Sequence, residues 1–210
     1  LYVLPLATAL VYGEQESLRV FAQCAGMTLA VGGALALATW RFRRELKPRD
    51  GYLLVSLSWL AVTAAGALPM MLGEPRLSFT DAFFESMSGL STTGSTVITG
   101  LDHLPHTVNL WRCALHWLGG MGIIVMAVAV LPLLGVGGMQ MYRAETPGPV
   151  KDAKLTPRIT ETAKALWLVY AGITALCIAS LWIAGMAPFE AICHAFSVMS
   201  LGGFSTHDAS

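Results

Sequence analysis

Two segments rich in glycine and small hydroxyl residues carry the most specific chemistry of this sequence. The first is STTGSTV at 91–97, and the second is MSLGGFST at 199–206. Glycine reaches positive φ, so a strand that contains it can turn successive carbonyl oxygens toward one axis, and hydroxyls can add further oxygens. A potassium ion gives up its hydration shell only where oxygens replace it, as backbone carbonyls do in potassium filters. The two segments therefore predict potassium coordination, and the alternative for each is a glycine-containing external turn.

A short apolar segment precedes each glycine segment. Residues 78–90 are apolar on one face and about 12 residues long, so as a helix they cover only ~18 Å and cannot cross a bilayer. Ser78 and Asp81 have the spacing of a capping box, and Pro188 suits the first turn of the second segment, 188–198. We predict two re-entrant half-helices that enter from outside, beside protein or a watery cavity. Each C-terminus would place about half a negative charge near mid-membrane, which favours a cation.

The two units also align with each other. Placing Gly94 on Gly203 gives an offset of 109 residues, and each unit then has the order long span, short half-helix, glycine strand. Other pairs at this offset are Asp81 with Glu190, Ser88 with Ser197, Ser91 with Ser200, and Thr96 with Ser205. Internal repeats are a common construction of membrane transport folds. The identity is low, however, and a chance alignment over so short a stretch is the alternative.

The composition indicates a membrane protein. The 210 residues are 55% hydrophobic and 12% charged, with a net charge of zero, whereas about 25% of the residues of a soluble domain are charged. Charged residues are missing from 1–13, 20–40, 51–73, 113–142 and 165–189, and four of these stretches exceed 20 residues. That length suffices for a transmembrane helix. The composition argues against a water-soluble domain, a disordered chain and a nucleic-acid binder.

The distribution of basic residues predicts the topology. All but three of the 13 lysines and arginines fall in 41–50 and 143–164. Cytoplasmic loops are enriched in these residues, which places both stretches inside. The outside then holds 14–18, 74–112 and 190–210, whose carboxylates either raise the local cation concentration or only accompany this orientation. Five spans satisfy these placements: a partial span at 1–13, then 18–40, 51–72, 113–136 and 160–186.

The sequence resembles the Trk/Ktr/HKT superfamily of potassium transporters, and most of all its bacterial TrkH branch. The motifs that carry the resemblance are DAFFES at 81–86, STTGS at 91–95, HWLGGMG at 116–122 and SLGGFSTHD at 200–208. The resemblance implies an all-α polytopic membrane protein. In this fold, repeats of span, re-entrant half-helix and span surround one ion pore, as in potassium channels.

The resemblance also implies an organisation for the chain. A partial leading transmembrane hairpin would occupy 1–45, the first pore repeat 46–142, and a cytoplasmic basic linker 143–159. The second pore repeat would occupy 160–210 and stop after its filter strand. The family has four repeats and places its gate in the third and fourth. Two repeats would then be missing, and this chain alone could not close a pore.

The filter positions of the family can be carried onto both glycine segments. The implied ligands of K⁺ are Thr92, Thr93, Gly94 and Ser95, together with Ser200, Leu201, Gly202 and Gly203. In the plant branch of the family, serine at the first filter glycine accompanies sodium transport, so Gly94 is typical of potassium-selective members. Leu201 departs from the family, in which threonine is more usual, and a hydroxyl oxygen would be lost there.

The resemblance further implies potassium uptake rather than an enzymatic reaction, with K⁺ as the transported ion. The protein would cross the bilayer of the bacterial inner membrane several times. It would form a homodimer and be gated by a cytosolic nucleotide-binding regulatory subunit that is TrkA-like. The basic linker at 143–158 would lie on the face where that subunit docks.

Two other functions remain open from the residues alone. A secondary transporter for an organic solute, with broken helices at mid-membrane, would need side-chain ligands. The sequence suggests no buried charge pair that could supply them. An intramembrane enzyme would need a nucleophile and a base on facing spans. The candidates are serine residues, Cys113 and His116, and no third partner is evident.

Several ionisable residues lie at or near membrane depth, where such residues are often functional. His116 and His194 are predicted to be neutral and hydrogen-bonded, and coupling of transport to protons is the alternative. Glu85 and Glu190 are predicted near the outer mouth, where they attract cations or pair with a basic residue. The candidate basic partners are Arg76 and Arg112.

Overall fold

The computed structural model describes residues 1–41, 48–130 and 155–209, and its regular elements in these ranges are all helical. The α-helices are α1 (Val3–Tyr12), α2 (Gln15–Thr39), α3 (Pro48–Leu72), α4 (Phe79–Leu90), α5 (His106–Val130), α6 (Leu155–Ile183) and α7 (Pro188–Met199). A short 3-10 helix, Leu101–His103, precedes α5. The predicted linker falls largely on 143–154, outside the described residues.

Three helices in the described ranges are long and apolar enough to cross a bilayer. They are Gln15–Thr39, Leu53–Leu72 and Glu161–Ile183, and most of their residues are not covered by the rest of the chain. An uncovered apolar helix surface is expected where lipid is the solvent. These helices coincide with the predicted spans at 18–40, 51–72 and 160–186. The partial span predicted at 1–13 contains the shorter helix α1.

The two short segments are helices of equal length. α4 and α7 each have 12 residues, and both their first and last residues are related by the predicted offset. At the start of α4, the Ser78 hydroxyl accepts a hydrogen bond from the Asp81 N–H at 3.2 Å and donates to the Asp81 carboxylate at 2.8 Å. α7 begins with Pro188 in its first turn. Both predicted helix starts are therefore confirmed, and α7 ends one residue later than predicted.

Helix α5 lies between the two halves of the molecule, since it packs against α1, α4, α6 and α7. It begins at His106, seven residues before the start of the predicted span at 113–136. The Glu14 carboxylate accepts hydrogen bonds from the N–H groups of His106 at 2.7 Å and Thr107 at 3.1 Å, which caps the first turn from another element. Arg112, which was assigned to an outside loop, lies inside this helix and is fully buried.

Polar side chains connect the buried helices to the backbone of α3. The Trp111 indole donates to the Gly66 carbonyl at 3.0 Å, and the Ser86 hydroxyl donates to the Thr63 carbonyl at 2.8 Å. The Tyr2 hydroxyl donates to a further α3 carbonyl at 2.7 Å, and its ring stacks on Trp111 at 5.1 Å. Interhelical hydrogen bonds and close packing drive association where lipid removes the hydrophobic difference between helices. These hydrogen bonds hold α1, α4 and α5 against α3.

Candidate ion-binding site

The two glycine segments meet in space. A Cβ atom placed on Gly94 would lie 3.0 Å from the Cα atom and 3.1 Å from the backbone nitrogen of Gly203. The preceding helices converge as well, on two neighbouring glycines of α5. A Cβ on Gly119 would overlap the carbonyl of Leu90, the last residue of α4, and a Cβ on Gly120 would lie 2.9 Å from Ser200 Cβ. The C-termini of α4 and α7 therefore lie together with both glycine segments. These non-helical segments are the first strand (91–97) and the second strand (199–206).

The backbone follows the same path at the end of both short helices, α4 and α7. Thr92 and Leu201 both adopt left-handed backbone conformations, with φ of 58° and 55°. Three hydrogen bonds also recur at the offset of 109 residues. In the first segment they join Thr92 N–H to Gly89 O, Thr93 N–H to Ser88 O, and Ser91 Oγ to Met87 O. In the second segment the equivalent bonds join Leu201 N–H to Val198 O, Gly202 N–H to Ser197 O, and Ser200 Oγ to Phe196 O. This recurrence supports the internal repeat over a chance alignment.

The carbonyl oxygens of the candidate ligands are not used within the described part of the chain. No described donor bonds to the carbonyls of 91–95 or 200–203. The next carbonyls are occupied: Phe204 O accepts from Ser197 Oγ, and Ser205 O accepts from Arg112. Since both helix C-termini also carry partial negative charge here, the arrangement suits a cation rather than an anion.

The glycines have different local roles. Gly94 adopts φ of +80°, as predicted for a glycine that turns a carbonyl, but Gly202 and Gly203 do not reach positive φ. The prediction of positive φ was therefore wrong for the second strand, where the left-handed residue is Leu201. Glycine is needed there for space, because a Cβ on Gly202 would overlap the His116 ring. Leu201 itself is 88% exposed.

A buried ion pair lies directly behind the two strands. Arg112 Nε is 2.8 Å from Glu85 Oε1, and both side chains are fully buried. The Glu85 carboxylate also accepts hydrogen bonds from the Thr96 hydroxyl at 2.8 Å and the Val97 N–H at 3.0 Å. The expectation that no buried charge pair exists was wrong, and Glu85 does not face the outer solution. Arg112 was one of the two basic partners predicted for Glu85, and this pairing is confirmed.

His116 lies under the second strand. Its ring contacts Phe204 edge-on at 4.1 Å between centroids and is fully buried. Neither ring nitrogen has a hydrogen-bond partner among the described residues. The predicted hydrogen-bonded state is therefore wrong for His116. For His194 it holds, since its Nδ1 lies 2.9 Å from the Glu190 carbonyl oxygen.

Comparison with known proteins identifies the family. The sequence model of the TrkH family, described as a cation transport protein, matches residues 17–210. The chain belongs to the TrkH family. The Trk system potassium uptake protein TrkH of Salmonella typhimurium is 54% identical over 99% of this chain and 43% of its own length. The TrkG protein of Escherichia coli K12, also a Trk system potassium uptake protein, is 44% identical over 98% of this chain and 42% of its own length.

A solved structure supports the same assignment. The crystal structure of the potassium transporter TrkH from Vibrio parahaemolyticus has a TM-score of 0.80 and 46% identity, and the match covers 100% of this chain and 42% of that one. The predicted all-α polytopic membrane fold and the predicted family are thereby confirmed. This TrkH-family chain spans less than half the length of these relatives.

Carboxylates connect the two loops on the side predicted to be outside. Asp208 accepts hydrogen bonds from the N–H groups of Gly100 and Leu101, both at 3.1 Å, and so caps the 3-10 helix that precedes α5. His207 pairs with Asp102, and its Nε2 lies 3.5 Å from Glu190. The segment after the second glycine strand is therefore held against the loop after the first.

The pair of Asp102 and His207 predicts a pH-dependent link. Their hydrogen bond raises the pKa of His207 and lowers the pKa of Asp102. The contribution of His207 to the stability of this link is full when the pH is below its ordinary pKa of 6.5, and it disappears as the pH rises through the raised pKa. The contribution of Asp102 to this stability is full when the pH is above its ordinary pKa of 3.8, and it disappears as the pH falls through the lowered pKa. The link is thus strongest between about pH 4 and 6.5.

We therefore expect the segment 205–209 to open more readily as the pH rises from 6 toward 9. Hydrogen exchange of its amides, corrected for the intrinsic pH dependence, should accelerate a few-fold in the native protein. Asp102→Asn should remove most of this acceleration, whereas the exposed residue Glu74, changed to Gln, should leave it intact. Equal acceleration in native protein and Asp102→Asn would show that another group controls the loop.

Proposed function

We propose that this chain supplies part of a potassium uptake pore in which the carbonyls of 91–95 and 200–203 select K⁺. The observation that carries the proposal is the contact of Gly94 with Gly203, at the joint C-terminal ends of two half-helices, among carbonyls without described partners. The relatives are named as potassium uptake proteins of Trk systems, which agrees with this assignment.

In the proposed mechanism, K⁺ sheds water as the carbonyl oxygens take the place of its hydration shell. The candidate ligands are the eight residues carried over from the family: Thr92, Thr93, Gly94, Ser95, Ser200, Leu201, Gly202 and Gly203. The hydroxyls of Ser91 and Ser200 donate to helix carbonyls at 2.7 Å and 2.9 Å, so their role is to fix the turn rather than to bind the ion. The helix C-termini favour the cation electrostatically.

The organisation implied by the family belongs to the same proposal. The hairpin would be 1–45, the first pore repeat 46–142 and the truncated second repeat 160–210, with both half-helices re-entrant from outside. The linker at 143–159 would face the cytosol of a bacterium and offer its basic residues to a TrkA-like, nucleotide-binding regulatory subunit. The complete protein would act as a homodimer in the inner membrane, and the remaining repeats would close the ring of carbonyls.

Ion uptake by the complete protein in liposomes tests this function. The tracer ion is added on the side of the bilayer that carries the acidic loops. We expect accumulation of K⁺ and Rb⁺ and far slower accumulation of Na⁺. Empty liposomes are the control for leak. Equal accumulation of Na⁺ and K⁺ would contradict selection by these carbonyls, and transport of an organic solute without K⁺ movement would favour the rival transporter.

The buried ion pair does not favour that rival. A carrier of a charged solute needs side chains that are free to bind it, yet Arg112 and Glu85 bind each other at 2.8 Å. They also form hydrogen bonds with Thr96, Val97 and Ser205. The pair therefore supports the protein's own strands rather than a substrate.

A further inference from the structure

Arg112 contacts both carbonyl-bearing strands. Its Nη2 donates to the Thr96 hydroxyl at 3.1 Å, and its Nη1 donates to the Ser205 carbonyl at 3.1 Å. The guanidinium also lies over the Phe204 ring, 4.3 Å from its centroid. Thr96 and Ser205 are equivalent positions in the two repeats, each two residues after the glycines that meet. One guanidinium thus joins the same point of both strands.

Glu85 binds the same guanidinium, and Arg112 and Glu85 together form a clamp on the two strands. Its carboxylate receives the Arg112 Nε–H and, from the first strand, the Thr96 hydroxyl and the Val97 N–H. Because Glu85 lies on α4, these hydrogen bonds attach Arg112 and the first strand to that helix. The first strand is therefore bound to its own half-helix and, through Arg112, to the second strand.

Stability alone is a weak reason to bury these charges. Desolvating two ions is unfavourable, and apolar residues of similar volume often serve a fold as well or better. What a buried guanidinium adds is direction, because its planar fork donates several hydrogen bonds in one rigid geometry. Here those bonds set the distance and angle between the two strands.

We propose that Arg112 and Glu85 are positioning residues that determine ion selectivity by fixing the two carbonyl strands relative to each other. The proposal rests on the proposed function of those carbonyls. Discrimination between K⁺ and Na⁺ depends on cavity size or on the number and field strength of the carbonyls, and either changes if one strand shifts against the other. The pair acts through the strands and does not itself touch the ion.

The test compares Arg112→Lys and Thr96→Val with two matched controls in the complete protein. Lysine keeps the charge beside Glu85 but cannot reproduce the fork, and valine removes only the hydroxyl that joins Glu85 to Arg112. Thr96 is exposed, so its replacement is compatible with folding even where a change at buried Arg112 is not. The controls are Arg76→Lys, in an exposed pair with Glu16, and Thr80→Val, in the exposed first turn of α4.

The readout is the ratio of K⁺ to Na⁺ uptake, together with the maximal rate and the KM for each ion. We expect Arg112→Lys to lower the ratio about tenfold and Thr96→Val to lower it a few-fold, because small misplacements of positioned groups cost roughly one to two orders of magnitude. The ratio should fall through faster Na⁺ uptake, which a merely unstable protein would not show. Thr96→Ser, which keeps the hydroxyl, should restore the native ratio.

Two negative outcomes are distinguishable. If the native protein does not prefer K⁺, the proposed function fails and the clamp has nothing to position. If the native protein prefers K⁺ and the folded variants keep its ratio within about twofold, the clamp proposal is overturned while the function stands. Should Arg112→Lys fail to fold, Thr96→Val decides between the same two results.

Discussion

Replacement of Gly94 by serine is expected to remove most of the preference for K⁺ over Na⁺. Gly94 has φ of +80°, and a Cβ there would lie 3.0 Å from the Gly203 Cα and 3.4 Å from the Gly202 carbonyl carbon. The obstacle is backbone and not a flexible side chain, so the second strand has to move away. We expect the K⁺ to Na⁺ uptake ratio of the complete protein in liposomes to fall by at least about tenfold, equivalent to ~1.4 kcal/mol.

Gly100→Ser is the matched control for this substitution. Gly100 lies in the same loop with φ of +77°, but a Cβ there would have nothing within 4 Å. Both variants therefore carry the strain of a side chain in a left-handed conformation, roughly 1–2 kcal/mol. Only Gly94→Ser adds the collision with the second strand. Native selectivity in Gly94→Ser, or equal losses in both variants, would contradict a role for the contact between the strands.

Replacement of Gly119 by alanine is expected to be the most destabilising change of a single methyl group. A Cβ on Gly119 would overlap the carbonyl oxygen, the carbonyl carbon and the Cα atom of Leu90. Overpacking typically costs ~1–3 kcal/mol, and the cost should reach or exceed the upper end here because backbone obstructs the methyl group. A shift of Leu90 also displaces the strand that follows it. Thermal unfolding in detergent should show a large loss of stability, and uptake should fall with it.

Gly122→Ala, three residues further along the same helix, provides the comparison. Its Cβ would meet only Trp59, at 3.8 Å and 3.9 Å, which is ordinary van der Waals contact. Alanine is favoured over glycine inside a helix by up to ~1 kcal/mol. This variant should therefore be as stable as the native protein or more stable. Similar melting temperatures for Gly119→Ala and Gly122→Ala would show that α4 and α5 adjust more freely than the packing indicates.

Much of the fold follows from local properties of the chain. The uncharged stretches predicted five spans because crossing a bilayer requires about 20 apolar residues in sequence, and three of them coincide with described helices that are long and apolar enough to cross. The starts of the short helices were predictable from local chemistry, because Ser78 caps its own helix and the fixed φ of Pro188 suits a first helical turn. The offset of 109 residues was visible from the order of elements, and the backbone repeats it in its helix ends and hydrogen bonds.

The errors concern interactions between residues that are distant in sequence. Arg112 was assigned to an outside loop because a charge between apolar stretches signals a span boundary, although it was also named as a possible partner of Glu85. That partner, Glu85, lies 27 residues earlier on another helix. His116 was expected to be hydrogen-bonded, but the second strand and Phe204 cover its ring.

The amino-acid sequence by itself determined which segments are helices, which two strands could offer carbonyl oxygens, and the family to which they belong. These properties depend on apolar length, capping and motif spacing, all of which act along the chain. Only the tertiary structure decided that Gly94 lies against Gly203 and that one arginine joins Thr96 to Ser205. Those contacts arise because α5 packs both half-helices onto adjacent glycines, and no local pattern specifies where two distant backbones will touch.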